Sequence, residues 1–322
     1  MKTYILRRIL IVIPLLLAIS MLSFFIMQLS PGNYLDQMRM NPDISQELIE
    51  NMKEDFGLNE GVVTQYFAWL GQILQGNLGE SFSYRVPVTQ IIGSRLFNTL
   101  ILSLSAMIFA WVIAIPIAIY SATHRYNILD NLFSVLAFIG LSIPNFFFAL
   151  LLLFLIVRYN IPLPVSGMTS IMHDFMTPGE QIIDILRHLI VPTVVLGSAG
   201  TATIMRQMRG QMLDVINSDY IRTARAKGLK ERTVINKHAV RNAINPMITI
   251  FGLQLSSLFS GAALTEIVTG WPGLGNLMLT AVRSKDLYLA MAGLMMGSLM
   301  LVIGNLIADL LLALNDPRIH YS

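Results

Sequence analysis

The chain has 322 residues, of which 54% are hydrophobic and only 13% are Asp, Glu, Lys or Arg, with a mean hydropathy of +0.63. An ordinary soluble domain carries roughly 25% charged residues, so this composition excludes a water-soluble fold and points to lipid as the solvent. A net charge of +3 leaves no footprint for nucleic acid, and the lack of cysteine excludes disulfides, iron-sulfur clusters and thiol nucleophiles.

A bilayer core of roughly 30 Å needs about 20 apolar residues per crossing helix. Six runs meet that requirement, in chain order 9–29, 97–120, 132–157, 189–205, 244–268 and 287–314. The first follows Lys2, Arg7 and Arg8 as a signal peptide would. It is too long for one, however, and ends in Gln28-Leu29-Ser30-Pro31 without a small-residue cleavage site, so it reads as a retained anchor.

Two hydrophilic segments interrupt the runs. In the first, between runs one and two, Asp43 is a candidate helix cap with Glu47 in the turn that follows. Ile44, Leu48, Ile49, Met52 and Phe56 then share one face until Gly57. A second stripe, Tyr66, Phe67, Leu70, Ile73 and Leu74, precedes Gly76. Such helices suit a membrane surface, with partner docking as the alternative.

Orientation follows from the basic residues between runs. With the N-terminus inside, the cytoplasmic segments hold 14 Lys and Arg and the outer segments eight, and the long outer loop adds eight acidic residues. The charge pattern therefore predicts six spans with both termini cytoplasmic. The chain divides into an anchor (1–30), an extracytoplasmic helical segment (31–96), a five-span core (97–314) and a short tail (315–322).

The second hydrophilic segment, 206–243, lies between runs four and five on the cytoplasmic side and holds nine basic residues against three acidic ones. Ser218 or Asp219 can cap a short helix with Tyr220, Ile221 and Ala224 on its inner face, and Gly228 supplies a left-handed stop. Arg222, Arg225 and Lys227 decorate the helix. A second amphipathic run with Val234, Ile235, Ala239 and Val240 leads to Asn245-Pro246. Helix, glycine break and helix make a rigid handle between two spans. The positive-inside rule accounts for its charge, whereas Ala224 and Gly228, four apart, would admit another protein's backbone closely.

The stretch DYIRTARAKGL from Asp219 to Leu229 resembles the permease coupling loop of bacterial ABC importers, specifically the B-type permease of the dipeptide, oligopeptide and nickel group. The resemblance extends through the opening ILRRILIVIPLLLAISMLSFF, the segment FGLNEGVVTQYFAWLGQILQGNLGESFSYRVPV, SIPNFF at 142–147, EIVTGWPGLGNL at 266–277 and DPRIHY at 316–321. Arg222 and Thr223 stand where the broader permease motif has Glu and Ala, and His238, Val240 and Arg241 replace its later Ile-x-Leu-Pro element. Both departures fit the peptide-type subgroup.

The resemblance implies an all-α polytopic membrane protein with the type I importer permease fold, in the bacterial inner membrane. It implies a coupling helix of Asp219, Tyr220, Arg222, Thr223, Ala224, Arg225, Ala226, Lys227, Gly228 and Leu229. It further implies a homologous second permease, two cytoplasmic ATPases that bind ATP and Mg in place of this chain, and an external solute-binding protein. A secondary transporter or channel is the competing class, yet inverted repeats and broken midplane helices are not evident in the sequence.

Motifs for chemistry are missing. No Gly-Lys dipeptide exists to end a phosphate loop, and the five histidines are scattered rather than set as His-Glu-x-x-His. Gly273-Leu274-Gly275-Asn276 imitates an intramembrane aspartyl protease motif but has Asn in place of the acid. Run five carries small and hydroxyl residues, among them Ser257, Gly261 and Thr265, which suit either close helix packing or the lining of a weakly polar pathway. Glu266 and Asp309 fall near predicted interfaces. Trp271-Pro272-Gly273 fits an outer-interface turn with its indole among headgroups, or part of an outer gate.

Overall fold

A computed structural model describes residues 2–29, 38–39, 45–55, 59–256 and 262–315. The described residues are overwhelmingly helical, as a chain must be when lipid offers its backbone no hydrogen bonds. They fall into two units, one of residues 1–99 with 272–302, the other of residues 100–271 with 303–321.

In the first unit, α1 (Lys2–Leu29), α2 (Gln46–Asp55) and α3 (Val62–Leu74) precede the start of α4 (Val88–Thr123). The unit also holds α13 (Leu274–Arg283) and the first half of α14 (Leu287–Asn315). Phe24, Tyr66, Trp69 and Met291 form one core, with a Ser20–Tyr66 hydroxyl pair at 2.9 Å inside it. The α3 stripe is therefore corrected: Tyr66, Leu70 and Ile73 pack against protein, and only Phe67 and Leu74 remain exposed for lipid. Trp69, outside the predicted stripe, is buried with them because it lies three residues from Tyr66 on the same helix face. The predicted cap Asp43 and stop Gly57 lie outside the described residues.

A tight loop in this unit joins Gly79 O to Val88 N at 3.0 Å and Val86 O to Ser81 N at 3.0 Å. The fully buried Asp286 carboxylate secures it, accepting from Ser81 Oγ at 2.6 Å, Ser83 N at 2.9 Å and, at the start of α14, Leu289 N at 3.2 Å. Three donors satisfy a carboxylate that would otherwise be costly to bury.

The second unit contains the rest of α4, α5 (Ile128–Ser142), α6 (Asn145–Arg158) and α7 (Pro178–Ile216). The expected straight span 132–157 is corrected to two helices, α5 and α6, meeting at 109°. Pro144 is the reason. It denies Ile143 the helical region, and Ile143 is extended at φ −85°, ψ 122°. α7 is far longer than the apolar run 189–205 inside it, starting from a Thr177–Glu180 capping box. Hydrophobicity marks bilayer depth, whereas polar turns at either end continue the same hydrogen-bonded ladder.

α4 and α7 pack through small residues. Ala110, Ala114, Ala118 and Ala122 recur every four residues on α4 and share a core with Ile204, Met205, Met208 and Met212 of α7. A Cβ on Gly197 would stand 2.6 Å from Phe109 Cδ1 and 3.0 Å from Ala106 O, so only glycine permits this approach. The fifth run appears as α11 (Asn245–Ser256) and α12 (Ala263–Thr269). Among the described residues four helices are long and apolar enough to cross a membrane, or five if the bent α5–α6 pair is one span.

Candidate functional site

The handle grows directly out of α7. After Asn217, Ser218 precedes α8 (Asp219–Ala226), and Gly228 at φ +72° turns the chain into α9 (Glu231–Thr233). A π-helical turn, Val234–Ala239, and α10 (Val240–Ala243) then lead back to α11. Ser218 does not cap through its side chain; its Oγ donates backward to Val215 O at 2.6 Å. The wider π turn, a local break often found at functional sites, buries both Val234 and Ala239.

Ile221 and Ala224, three apart, key α8 into a core that includes Met208, Met212, Val234 and Ala239. Two expectations are corrected here. Ala224 is 8% exposed and faces its own chain, so it cannot be a close-approach point for another protein. Tyr220 is 44% exposed at the edge of the inner face, where its phenol stays wet. Arg222, Thr223, Arg225, Ala226, Lys227, Gly228 and Leu229 form the outward side. A Cβ on Gly228 would meet nothing within 4 Å.

The cations are not equivalent. Arg225 donates to Glu231 through Nε at 3.2 Å and Nη2 at 2.8 Å, clamping the glycine turn. The Arg225 side chain hydrogen-bonded to Glu231 holds that carboxyl below its usual range. Arg222 stands 3.5 Å from Asp219 in an exposed pair. The Lys227 side chain makes no hydrogen bond or ion pair among the described residues, and the face presents net positive charge.

Asp130 escaped the sequence reading. Arg209 of α7 binds it with two hydrogen bonds, Nε to Oδ1 at 3.1 Å and Nη2 to Oδ2 at 3.0 Å, while Tyr126 N donates to Oδ2 at 3.0 Å. The available signal was an acidic residue in the first turn of a helix capped by Asn127, with two Arg, 206 and 209, just past a later apolar run. The pair fixes the start of α5 to α7 a few turns before α8.

Of the three pathway candidates, Ser257 and Gly261 lie outside the described residues. Thr265 is fully buried on α12, and its Oγ1 has no hydrogen-bond partner among the described residues. The outer turn differs from expectation: Trp271 is fully buried with Leu102, Leu189 and Ala262, so its indole sits in a protein core and not among headgroups. Pro272 O accepts from Asn98 Nδ2 at 2.9 Å, and Gly273 precedes α13, whose Leu274 N donates to Thr99 Oγ1 at 2.7 Å. Gly270, at φ +66°, ends α12, and a side chain there would collide with Ser166. Among the described residues no group of His, Asp and Glu could hold a metal ion.

Sequence comparison places these features in context. Residues 114–321 match the family described as the binding-protein-dependent transport system inner membrane component, and residues 1–105 match its N-terminal companion. The chain belongs to this transport family. It is 43% identical to the oligopeptide transport system permease protein AppB of Bacillus subtilis over 323 residues, covering all of both chains. It is also 39% identical to a putative peptide permease protein of Brucella suis and 36% identical to the dipeptide transport system permease protein DppB of Escherichia coli K12, again over the full length of both. Family membership and the apolar helices make the chain a multi-pass inner-membrane component of a transport complex.

Proposed function

We propose that this chain is the permease subunit of an ATP-driven importer, forming half of a pathway for di- or oligopeptides delivered by an external binding protein. The observation that carries this reading is the handle. α8 is keyed by Ile221 and Ala224 into the end of α7 and leaves its basic side free. The 39 residues of α7 reach about 58 Å at 1.5 Å per residue, well beyond a core of roughly 30 Å. A push on α8 thus passes into a rod that crosses the membrane. A self-sufficient secondary transporter has no use for such a handle.

The partners in this reading are a homologous second permease, two ATPases that hold ATP and Mg, and the binding protein. The fold is that of a type I permease with six spans, the bent α5–α6 pair counting as one and run five as another. Both termini are cytoplasmic and 31–96 is extracytoplasmic. ATP-driven closure of the ATPases would move α8 and open the pathway outward, with Ser257, Gly261 and Thr265 along it and Trp271, Pro272 and Gly273 at its outer turn.

Uptake of labelled dipeptides, oligopeptides, glutathione and nickel chelate in a deletion strain tests the proposal. Peptide uptake should disappear with the gene, return with the intact chain, and require a copurifying P-loop ATPase. Peptide uptake that persists when that ATPase is deleted would overturn it.

A further inference from the structure

The bend between α5 and α6 leaves a hollow that neither the handle nor the outer turn uses. It is a cleft of about 400 Å³ walled by α4, α5, α6 and α7, all within the second unit, and ligand clefts run from about 300 to 1,000 Å³. Ile113, Ile117, Phe133, Ile143 and Phe148 line it. The hydroxyls of Ser198 and Thr201 also reach its wall, but each already donates to its own helix, to Val195 O and Gly197 O, both at 2.8 Å. Peptides and sugars would find few polar contacts here; hydrocarbon would lose nothing.

A smaller cavity of about 130 Å³ adjoins it, sharing Ala137, Ala202 and Met205, and extends to Arg206 and Arg209. The charge of Arg209 is balanced by Asp130. The Arg206 side chain is exposed and makes no hydrogen bond or ion pair among the described residues, which leaves one uncompensated cation at the end of an apolar slot. Along α7 the wall residues Val194, Ser198, Thr201 and Met205 form a single stripe. From Val194 to Arg206 the helix rises about 18 Å, close to one leaflet of a core roughly 30 Å thick. Arg206 is also the first residue beyond the apolar run ending at Met205, which is headgroup depth.

We propose that this slot holds one anionic phospholipid, an acyl chain lying along the α7 stripe and the phosphate at Arg206. Charge complementarity selects an anionic headgroup, as for other basic pockets between membrane helices. A helix about 10 Å across and 18 Å long would fill roughly 1,400 Å³, more than the roughly 1030 Å³ of empty space in the cleft even counting its open mouth, so a partner's helix could bridge the mouth but not occupy the slot. A bound chain would brace the α5–α6 bend beside the Asp130–Arg209 pair. The inference rests on α7 crossing the membrane and not on ATP-driven transport, so the two readings can fail separately.

The test is native mass spectrometry of the assembled complex exposed to phosphatidylglycerol or phosphatidylcholine. The intact complex should retain phosphatidylglycerol about fivefold better, the worth of one basic side chain near an anionic lipid, and Arg206→Gln should remove the preference without loss of assembly. Because the native chain has no cysteine, Ser198→Cys carrying a photoreactive group reports the occupant directly, and its adduct should be phospholipid. Equal retention of both lipids, an Arg206→Gln complex that keeps the preference, or an adduct to the second permease in place of lipid would each overturn the proposal.

Discussion

At Gly228 the backbone adopts φ +72° while the space around it is open within the chain. Valine there is strained by about 1–2 kcal/mol or more from the left-handed backbone and also thickens the surface offered to a partner. Gly228→Val should reach the membrane and assemble but lose most transport and substrate-stimulated ATPase activity. Gly228→Asn separates the two effects, since Asn tolerates the left-handed region; transport that recovers with Asn assigns the defect to the backbone. Inside the handle, Ile221→Ala removes a fully buried side chain at a cost of about 2–5 kcal/mol, visible as faster proteolysis of the 216–243 segment. The Arg225–Glu231 clamp adds a pH dependence. Its partner lowers the Glu231 carboxyl from the ordinary value of 4.5, so the stabilisation is full above 4.5 and is lost as pH falls through the folded value. Glu231→Gln should flatten the proteolysis rate against pH below 4.5 and leave it near the wild-type rate at pH 7, because exposed pairs contribute little.

Among elements, α7 is the member on which the handle depends, and one ion pair ties it to the start of α5. The Asp130 side chain is 2% exposed and that of Arg209 29%, so removing the carboxylate strands a partly buried guanidinium. Breaking one side of such a pair costs about 3–5 kcal/mol when burial is complete. Asp130→Asn should lower the thermal midpoint of the purified complex and weaken coupling of ATPase activity to substrate, whereas Asp130→Glu should restore part of both. Asn matching wild type in melting and coupling would show that the pair is dispensable. The bend at Ile143-Pro144 is likewise an element property: α5 and α6 are each good helices, and one imino acid forbids their fusion.

For the whole molecule the charge asymmetry makes a prediction about sidedness. The chain has no cysteine of its own, so a single Cys at Ser45 should react with an impermeant reagent from outside, and one at Lys230 only after the membrane is opened. Reversal of that pattern would invert the orientation and place α8 where no cytoplasmic ATPase could reach it. Both positions are exposed, so neither substitution disturbs a core.

Much of this protein is legible from residue order. Runs of about 20 apolar residues place helices in lipid because unpaired backbone is too costly there, and the string Asp219 to Leu229 announces a short helix ending at a left-handed glycine. Those are local facts, decided within a few turns of chain. Which face of each helix looks inward is not local. Tyr66 and Trp271 read equally well as interfacial aromatics, and only their neighbours Phe24 and Leu189 put them in protein cores. Ala224 reads as a docking point in sequence, yet it is buried in the same core as Met208 and Met212. Asp130 and Arg209, 79 residues apart, carry no signal until the chain brings them together. Periodicity sets the angle between side chains on one helix; the rotation of that helix is set by what its neighbours bury.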